Sequence, residues 1–241
     1  MTLLEVNIKK KYFRLNGNSL GVLNNIHFAV KEGEFVSIIG PSGCGKTTIL
    51  RIILGLDTDY EGSVFLNGKQ IKEPGIDRGM VFQDHRLFPW LTAEENVAFA
   101  VPDNKRQPER VNKALELVGL NKFKNAYPNQ LSGGMAQRVA LARAIVNVPD
   151  VLLLDEAFGS LDDFTRAKMQ KELRRIVNEG KTTTIMVSHN IDEVVLLSNK
   201  ILVLSDKPAS IVDIINVRMQ EPRDKRNDDF IHYRNKLIME L

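Results

Sequence analysis

The chain has 241 residues, enough for one large domain or two small ones. Hydrophobic residues make up 43% and charged residues 26%, which is ordinary globular composition and excludes a disordered or fibrous chain. A formal net charge of +3 is too weak a bias to argue for nucleic acid as a partner.

The single cysteine, Cys44, excludes an internal disulfide and suits a reducing compartment. The first residues, MTLLEVNIKKKYF, carry no apolar segment followed by a cleavage site, so no signal peptide is expected. The longest apolar runs fall well short of the ~20 residues that a membrane helix needs. The chain is therefore expected to be soluble, and peripheral if it serves a membrane.

In chain order, residues 3–9 and 26–30 read as short strands around a polar loop from Asn16 to Gly21. Residues 35–39 form an apolar run ended by Gly40-Pro41 and read as a buried strand, and residues 46–54 have helical periodicity. Strand, glycine-rich turn and helix open a βαβ unit. Residues 63–66 and 79–82 read as strands. Residues 92–99, 108–118 and 135–146 read as helices, with Pro108 and Pro149 at helix boundaries. Strands return at 151–154, 183–187, 201–204 and 211–214, separated by helices at 162–178 and 191–197. The alternation predicts an α/β core with a mainly parallel sheet, interrupted by a helical insert. From Arg218 onward charges of both signs crowd together, which reads as a solvated terminal helix or coil, with contact to anionic lipid headgroups as the alternative.

Gly40-Pro41-Ser42-Gly43-Cys44-Gly45-Lys46-Thr47 fits the phosphate-loop pattern G-x-x-x-x-G-K-[ST]. Glycines let the backbone curl so that several N–H groups face one anion, and the following helix adds its positive end. Lys46 is expected to reach the β- and γ-phosphates and the Thr47 hydroxyl to ligate Mg²⁺; Thr48 is counted with the loop. Val151 to Leu154 is apolar throughout and ends in Asp155 and Glu156. Two acids at the end of a buried strand need a cationic partner. Open α/β sheets bind ligands beyond their strands' carboxyl ends, which puts Asp155 beside the phosphate loop as the holder of Mg²⁺ and lets Glu156 face an attacking water. Capping of the next helix is the plain alternative for these acids.

Leu131-Ser132-Gly133-Gly134-Met135-Ala136-Gln137-Arg138 reads as a hydroxyl and exposed amides opening a helix, a second anion site. Together with the loop and the acid pair it resembles the signature sequence of the ATP-binding cassette (ABC) ATPases, and the resemblance covers about residues 3 to 215. It implies a P-loop NTPase fold: an α/β core with a mainly parallel sheet, an antiparallel β subdomain and a helical subdomain. The core and β part would span about 1–89 and 148–217, the helical subdomain about 90–147 and a tail 218–241. It implies an Mg²⁺-dependent ATPase working as a homodimer or pair of ATPase subunits. Each ATP would lie between the loop of one subunit and Ser132, Gly133 and Gly134 of the other.

The smaller family motifs follow in order. Gln83 matches the residue that reaches Mg²⁺ and senses the γ-phosphate. His189 matches the switch histidine that holds the γ-phosphate and the attacking water. Ser160-Leu161-Asp162 matches the segment contacting the partner subunit, and Tyr12, next to Phe13, matches the adenine-stacking ring. Ala136 and Ala157 depart from the family, which often has a long residue such as Arg and a Pro there.

The run from Gln83 through Leu87 and Phe88 to Trp90 is apolar next to a sensor residue, and such surfaces usually receive a partner; packing beneath the helical insert is the alternative for Trp90. It resembles the permease-docking region of the nitrate, sulfonate and taurine importer branch. The resemblance implies a peripheral subunit on the cytoplasmic face of the membrane, an integral membrane permease docked near Gln83–Trp90, and an extracytoplasmic solute-binding protein. A soluble ABC ATPase acting on nucleic acid or ribosomes is the other reading. Such proteins usually carry two cassettes, a long coiled-coil insertion or zinc-binding cysteines, which this sequence lacks.

Overall fold

The computed structural model describes residues 1–15, 18–103, 107–159, 161–180 and 182–241. The first strands and helix are β1 (Thr2–Leu15), β2 (Asn18–Lys31), β3 (Phe35–Ile39), α1 (Lys46–Leu54), β4 (Glu61–Leu66) and β5 (Lys69–Gln70). The middle of the chain forms β6 (Arg78–Val81), α2 (Ala93–Ala98), α3 (Pro108–Leu117), α4 (Gly133–Ile145), β7 (Val151–Asp155) and α5 (Asp163–Gly180). The last elements are β8 (Thr183–Val187), α6 (Ile191–Leu197), β9 (Lys200–Leu204), β10 (Ile211–Asn216) and α7 (Asp228–Glu240). They group into two compact units, residues 1–75 with 183–241, and residues 76–182.

In the first unit an antiparallel sheet runs β2-β1-β4-β5. Leu4, Val6 and Ile8 alternate into its core, each fully buried, as the two-residue period of a strand requires. Asn67 and Gly68, at φ +51° and +73°, close the β4–β5 hairpin in the paired left-handed conformation that suits the strand twist. Both leading strands outrun the sequence reading. The polar stretch expected as a loop is strand from Asn18 on, because Tyr12 pairs with Gly21 and Phe13 with Leu20. Backbone pairing carries this exposed end of the hairpin, so no apolar pattern marks it. Asn16 and Gly17 lie outside the described residues.

In the same unit, β3 pairs in parallel with β8 on one side and β9 on the other, and β10 closes on β9 antiparallel. All five residues of β3 and of β8 are buried, as expected of strands covered on both faces. Ile49, Leu50, Ile52 and Ile53 of α1 are also buried. The tail forms a terminal helix that is mostly exposed, as the sequence reading expects, but it is anchored. Phe230 and Leu237, two turns apart on α7, are buried. The Arg223 guanidinium donates to the carbonyls of Val195, Leu196 and Ser198 at the end of α6, where a cation meets the helix's negative pole. The charge-rich composition concealed the two apolar anchors.

The second unit contains β6 and β7, paired in parallel, and the helices of the predicted insert. Gly79 is glycine because a Cβ there would run into the Ala144 carbonyl of α4. Thr92 caps α2 with a reciprocal Glu95 contact, and Ser132 caps α4. Among the described residues no helix is long and apolar enough to cross a membrane.

Candidate functional site

The first unit presents the phosphate-loop residues. Gly43 and Gly45 sit at φ +76° and +122°, conformations that side chains oppose. A Cβ on Gly45 would lie 2.7 Å from Leu23 Cδ2 and 2.9 Å from Val22 Cγ1, so β2 props the loop from behind. Lys46 is 6% exposed, and its Nζ donates to the carbonyls of Gly40 and Pro41, each at 2.8 Å. The ammonium is thus held across the loop. Ser42, Gly43 and Thr47 are exposed, while Pro41 and Thr48 are half-buried. The Cys44 thiol is buried, and burial pushes its pKa up; the Lys46 charge opposes that shift and the Asp206 carboxylate adds to it. The thiol therefore stays protonated near neutrality, consistent with no chemical role.

Strand pairing brings His189 to the same edge as this loop. Val187 pairs with Ile38, so Ser188-His189 and Gly40-Pro41 leave neighbouring parallel strands at their carboxyl ends, where α/β sheets bind ligands. His189 is exposed. Its neighbours are fixed: the buried Ser188 hydroxyl donates to the buried Glu193 carboxylate and accepts from the Asn190 N–H at 3.0 Å. Asn190 in turn caps α6 through Glu193 N–H.

The structure also separates Tyr12 from Phe13. Adjacent strand residues face opposite ways. Phe13 lies on the side of Lys11, whose ammonium sits 4.7 Å over its ring. Tyr12, 43% exposed, lies beside Gly21; the ring is 3.5 Å from where a Cβ on Gly21 would be. Glycine there keeps one face of the ring uncovered.

The second unit presents the remaining residues at its own strand ends. Val81 pairs with Leu154, so Gln83 and the Asp155-Glu156 pair follow neighbouring parallel strands. Gln83 is exposed and Asp155 is 9% exposed. Glu156 adopts φ +47°, an uncommon conformation for a non-glycine residue and one that gathers at functional sites. The buried Gln137 of α4 donates to the Phe82 carbonyl at 3.2 Å, tying α4 to the backbone just before Gln83.

At the start of α4, Ser132 and Gly133 are exposed, and Ser132 Oγ accepts from Met135 N–H at 3.3 Å. A Cβ on Gly134 would lie 2.5 Å from Thr165 Cγ2. Asp162 caps α5, accepting from Thr165 N–H at 3.0 Å, and these hydrogen bonds hold its carboxyl below the usual range. Ser160 lies outside the described residues. Ala136 and Ala157 are buried, so neither departure from the family pattern alters an exposed surface.

The Gln83–Trp90 segment is built around Asn96, which is fully buried. Its amide binds both polar groups of Phe88 and the carbonyls of Leu91 and Thr92. Arg143 donates to the carbonyls of His85 and Arg86 at 2.9 and 2.8 Å. Leu87 is buried, which corrects its reading as surface, while Trp90 is 69% exposed rather than packed beneath the insert. Phe88 joins Trp90 to Phe99, with ring centroids 5.5 and 4.6 Å apart, and Phe99 is 59% exposed. Sequence reading missed Phe99, Asn96 and Arg143. Only the capping box at Thr92–Glu95, which places Phe99 in the turn that ends α2, gave a signal.

Among the described residues no three His, Cys, Asp or Glu side chains gather closely enough to hold a metal ion. The donors the sequence nominates for Mg²⁺ are a hydroxyl, an amide and a carboxylate. That set fits an ion which keeps several waters and takes the rest of its shell from substrate phosphates.

The family model described as ABC transporter matches residues 23–159. The aliphatic sulfonates import ATP-binding protein SsuB of Bacillus cereus is 45% identical over 239 residues, covering 99% of this chain and 95% of that protein. SsuB of Bacillus subtilis (strain 168) is 46% identical, covering 98% and 93%. The bicarbonate transport ATP-binding protein CmpC of Synechococcus elongatus is 44% identical over 94% of this chain and 35% of its own length. Among solved structures, a dimeric post-hydrolysis ATP-binding cassette bound to ADP and Pi superposes with a TM-score of 0.77 at 33% identity, covering 90% of this chain and 100% of that one. The chain belongs to the ABC transporter family and is an ATPase cassette of the P-loop NTPase α/β fold.

Proposed function

We propose that this chain is the ATP-binding and ATP-hydrolysing subunit of an importer in the sulfonate, nitrate and bicarbonate branch. It couples closure of a pair of such subunits to passage of a small solute through a separate membrane permease at the cytoplasmic face, with a solute-binding protein outside. The observation that carries the reading is the coincidence of a phosphate loop, a left-handed glutamate after a buried strand and an exposed Ser-Gly helix start in one chain.

Each side chain has a part. The loop amides from Gly40 to Gly45 and the Lys46 ammonium receive the β- and γ-phosphates. Tyr12 stacks on the adenine. The Thr47 hydroxyl, the Gln83 amide and the Asp155 carboxylate hold Mg²⁺, which neutralises phosphate charge when bound. Glu156 orients the attacking water and takes its proton, and His189 holds the γ-phosphate. Ser132, Gly133 and Gly134 of a second copy complete the site with a helix N-terminus, while Asp162 steadies the segment that meets that copy. Completion by a second copy makes hydrolysis conditional on closure. The exposed rings of Trp90 and Phe99 receive a cytoplasmic segment of the permease.

The test is a pair of substitutions. Glu156→Gln binds ATP, forms a stable dimer and loses turnover by about two orders of magnitude or more, on the order of a general base's contribution. Lys46→Ala loses ATP binding or hydrolysis. A Glu156→Gln protein with the parent turnover overturns the assignment.

A further inference from the structure

The first unit places a second cation beside the phosphate loop. After β9 the chain turns through Ser205, Asp206, Lys207, Pro208 and Ala209. Because β9 is parallel to β3, this turn leaves the same edge of the sheet as the loop at 40–47; a Cβ on Gly40 would meet the Leu204 carbonyl at 2.8 Å. The turn is braced. Ala209 N–H donates to the Val22 carbonyl and Asn24 N–H to the Ala209 carbonyl, each at 2.8 Å. Ser210 N–H donates to Ser205 Oγ at 3.0 Å.

Within that brace Lys207 reaches toward the loop. Its Nζ is 4.0 Å from where a Cβ on Gly43 would lie, and among the described residues, chain neighbours of Gly43 aside, no other heavy atom comes as near that point. Lys207 is exposed and forms no hydrogen bond or ion pair among the described residues. Pro208, the next residue, lies 3.6 Å from the corresponding point on Gly21, beside the Tyr12 ring. The turn therefore borders both the aromatic platform and the glycine arc. An opposing charge stands next to it in the chain: Asp206 bears on Cys44 inside the same loop.

We propose that Lys207 is a further residue of the phosphate site, its ammonium adding positive charge to the loop and offsetting Asp206, so that more highly charged nucleotides gain most. This rests on the reading of residues 40–47 as the nucleotide loop. A charge several ångströms from phosphates at a solvent-exposed edge changes affinity by about three- to tenfold.

The experiment measures ATP, ADP and AMP affinities for the purified chain and for Lys207→Gln, Lys207→Glu, Asp206→Asn and Lys46→Ala, at low and high salt. Lys207→Gln is expected to weaken ATP by about three- to tenfold, ADP less and AMP least. Lys207→Glu weakens ATP further, Asp206→Asn strengthens it, and added salt shrinks every difference. An equal, salt-independent loss for all three nucleotides marks a structural role and overturns the proposal. Unchanged affinities in Lys207→Gln, with Lys46→Ala inactive, overturn it while leaving the nucleotide loop standing. Parent-like ATP affinity and parent-like turnover together in Lys46→Ala overturn the loop reading itself.

Discussion

Gly45 shows how much of the site rests on single residues. Its φ of +122° already disfavours a side chain, and the 2.7 Å approach of Leu23 Cδ2 leaves no room for a methyl group unless the buried Leu23 and Val22 side chains or the loop itself give way. Gly45→Ala is therefore expected to destabilise the fold by about 1–3 kcal/mol and to lose nucleotide binding, because the loop must shift to relieve the contact. Urea unfolding and nucleotide titration measure the two effects, and parent-like values in both would contradict this account. The glycine itself was legible in the sequence, since the loop pattern demands it. Its reason was not: Leu23 lies 22 residues earlier, on a strand that the sequence revealed only in part. The same holds for Tyr12, which only the alternation of faces along β1 separates from Phe13. Glu156 differs again. Its acidity was readable, but its left-handed backbone is set by the buried Ala157 and Phe158 that follow it and by the turn closed from Gly159 N–H to its carbonyl.

Between elements, Asn96 carries a load out of proportion to its size. One buried amide satisfies the Phe88 N–H and the carbonyls of Phe88, Leu91 and Thr92. Asn96→Ala strands the Phe88 N–H and the Leu91 carbonyl, while the carbonyls of Phe88 and Thr92 keep the backbone N–H groups of Leu91 and Asn96, and is expected to cost about 2–4 kcal/mol. Trp90 is the chain's single tryptophan, so loosening of its loop should appear as a fall in its fluorescence anisotropy. Trp90→Ala is the counterpart. The ring is mostly exposed, so stability should move by no more than about 0.5 kcal/mol while permease-dependent stimulation is lost. An unchanged anisotropy in Asn96→Ala would show that the aromatic surface does not depend on the amide. Elements with a continuous apolar run or a strong period were readable, such as β3, α1 and β8, whose predicted and observed bounds coincide. The outer hairpin, held by backbone pairing, was not, and in the tail a terminal helix was one of two readings while its two buried anchors went unseen.

At the scale of the whole molecule, one chain offers a phosphate loop and an exposed Ser132–Gly134 helix start, and under the proposed function each completes a site on a second copy. This makes a prediction that no single-chain site shares. Lys46→Ala destroys a subunit's own loop and leaves its helix start intact. Ser132→Arg blocks the helix start with a bulky cation and leaves the loop intact, at the cost of a cap worth about 1 kcal/mol. Each protein alone is then expected to be inactive. Mixed in equal amounts they form hybrid pairs in which one of the two sites is whole. With random pairing about half the dimers are hybrid, so activity should recover to about a quarter of the parent's if the sites are independent. The parent rate per molecule should also rise with concentration until pairing saturates. A mixture as inactive as its components, together with a rate per molecule that ignores dilution, would show that each chain hydrolyses ATP alone.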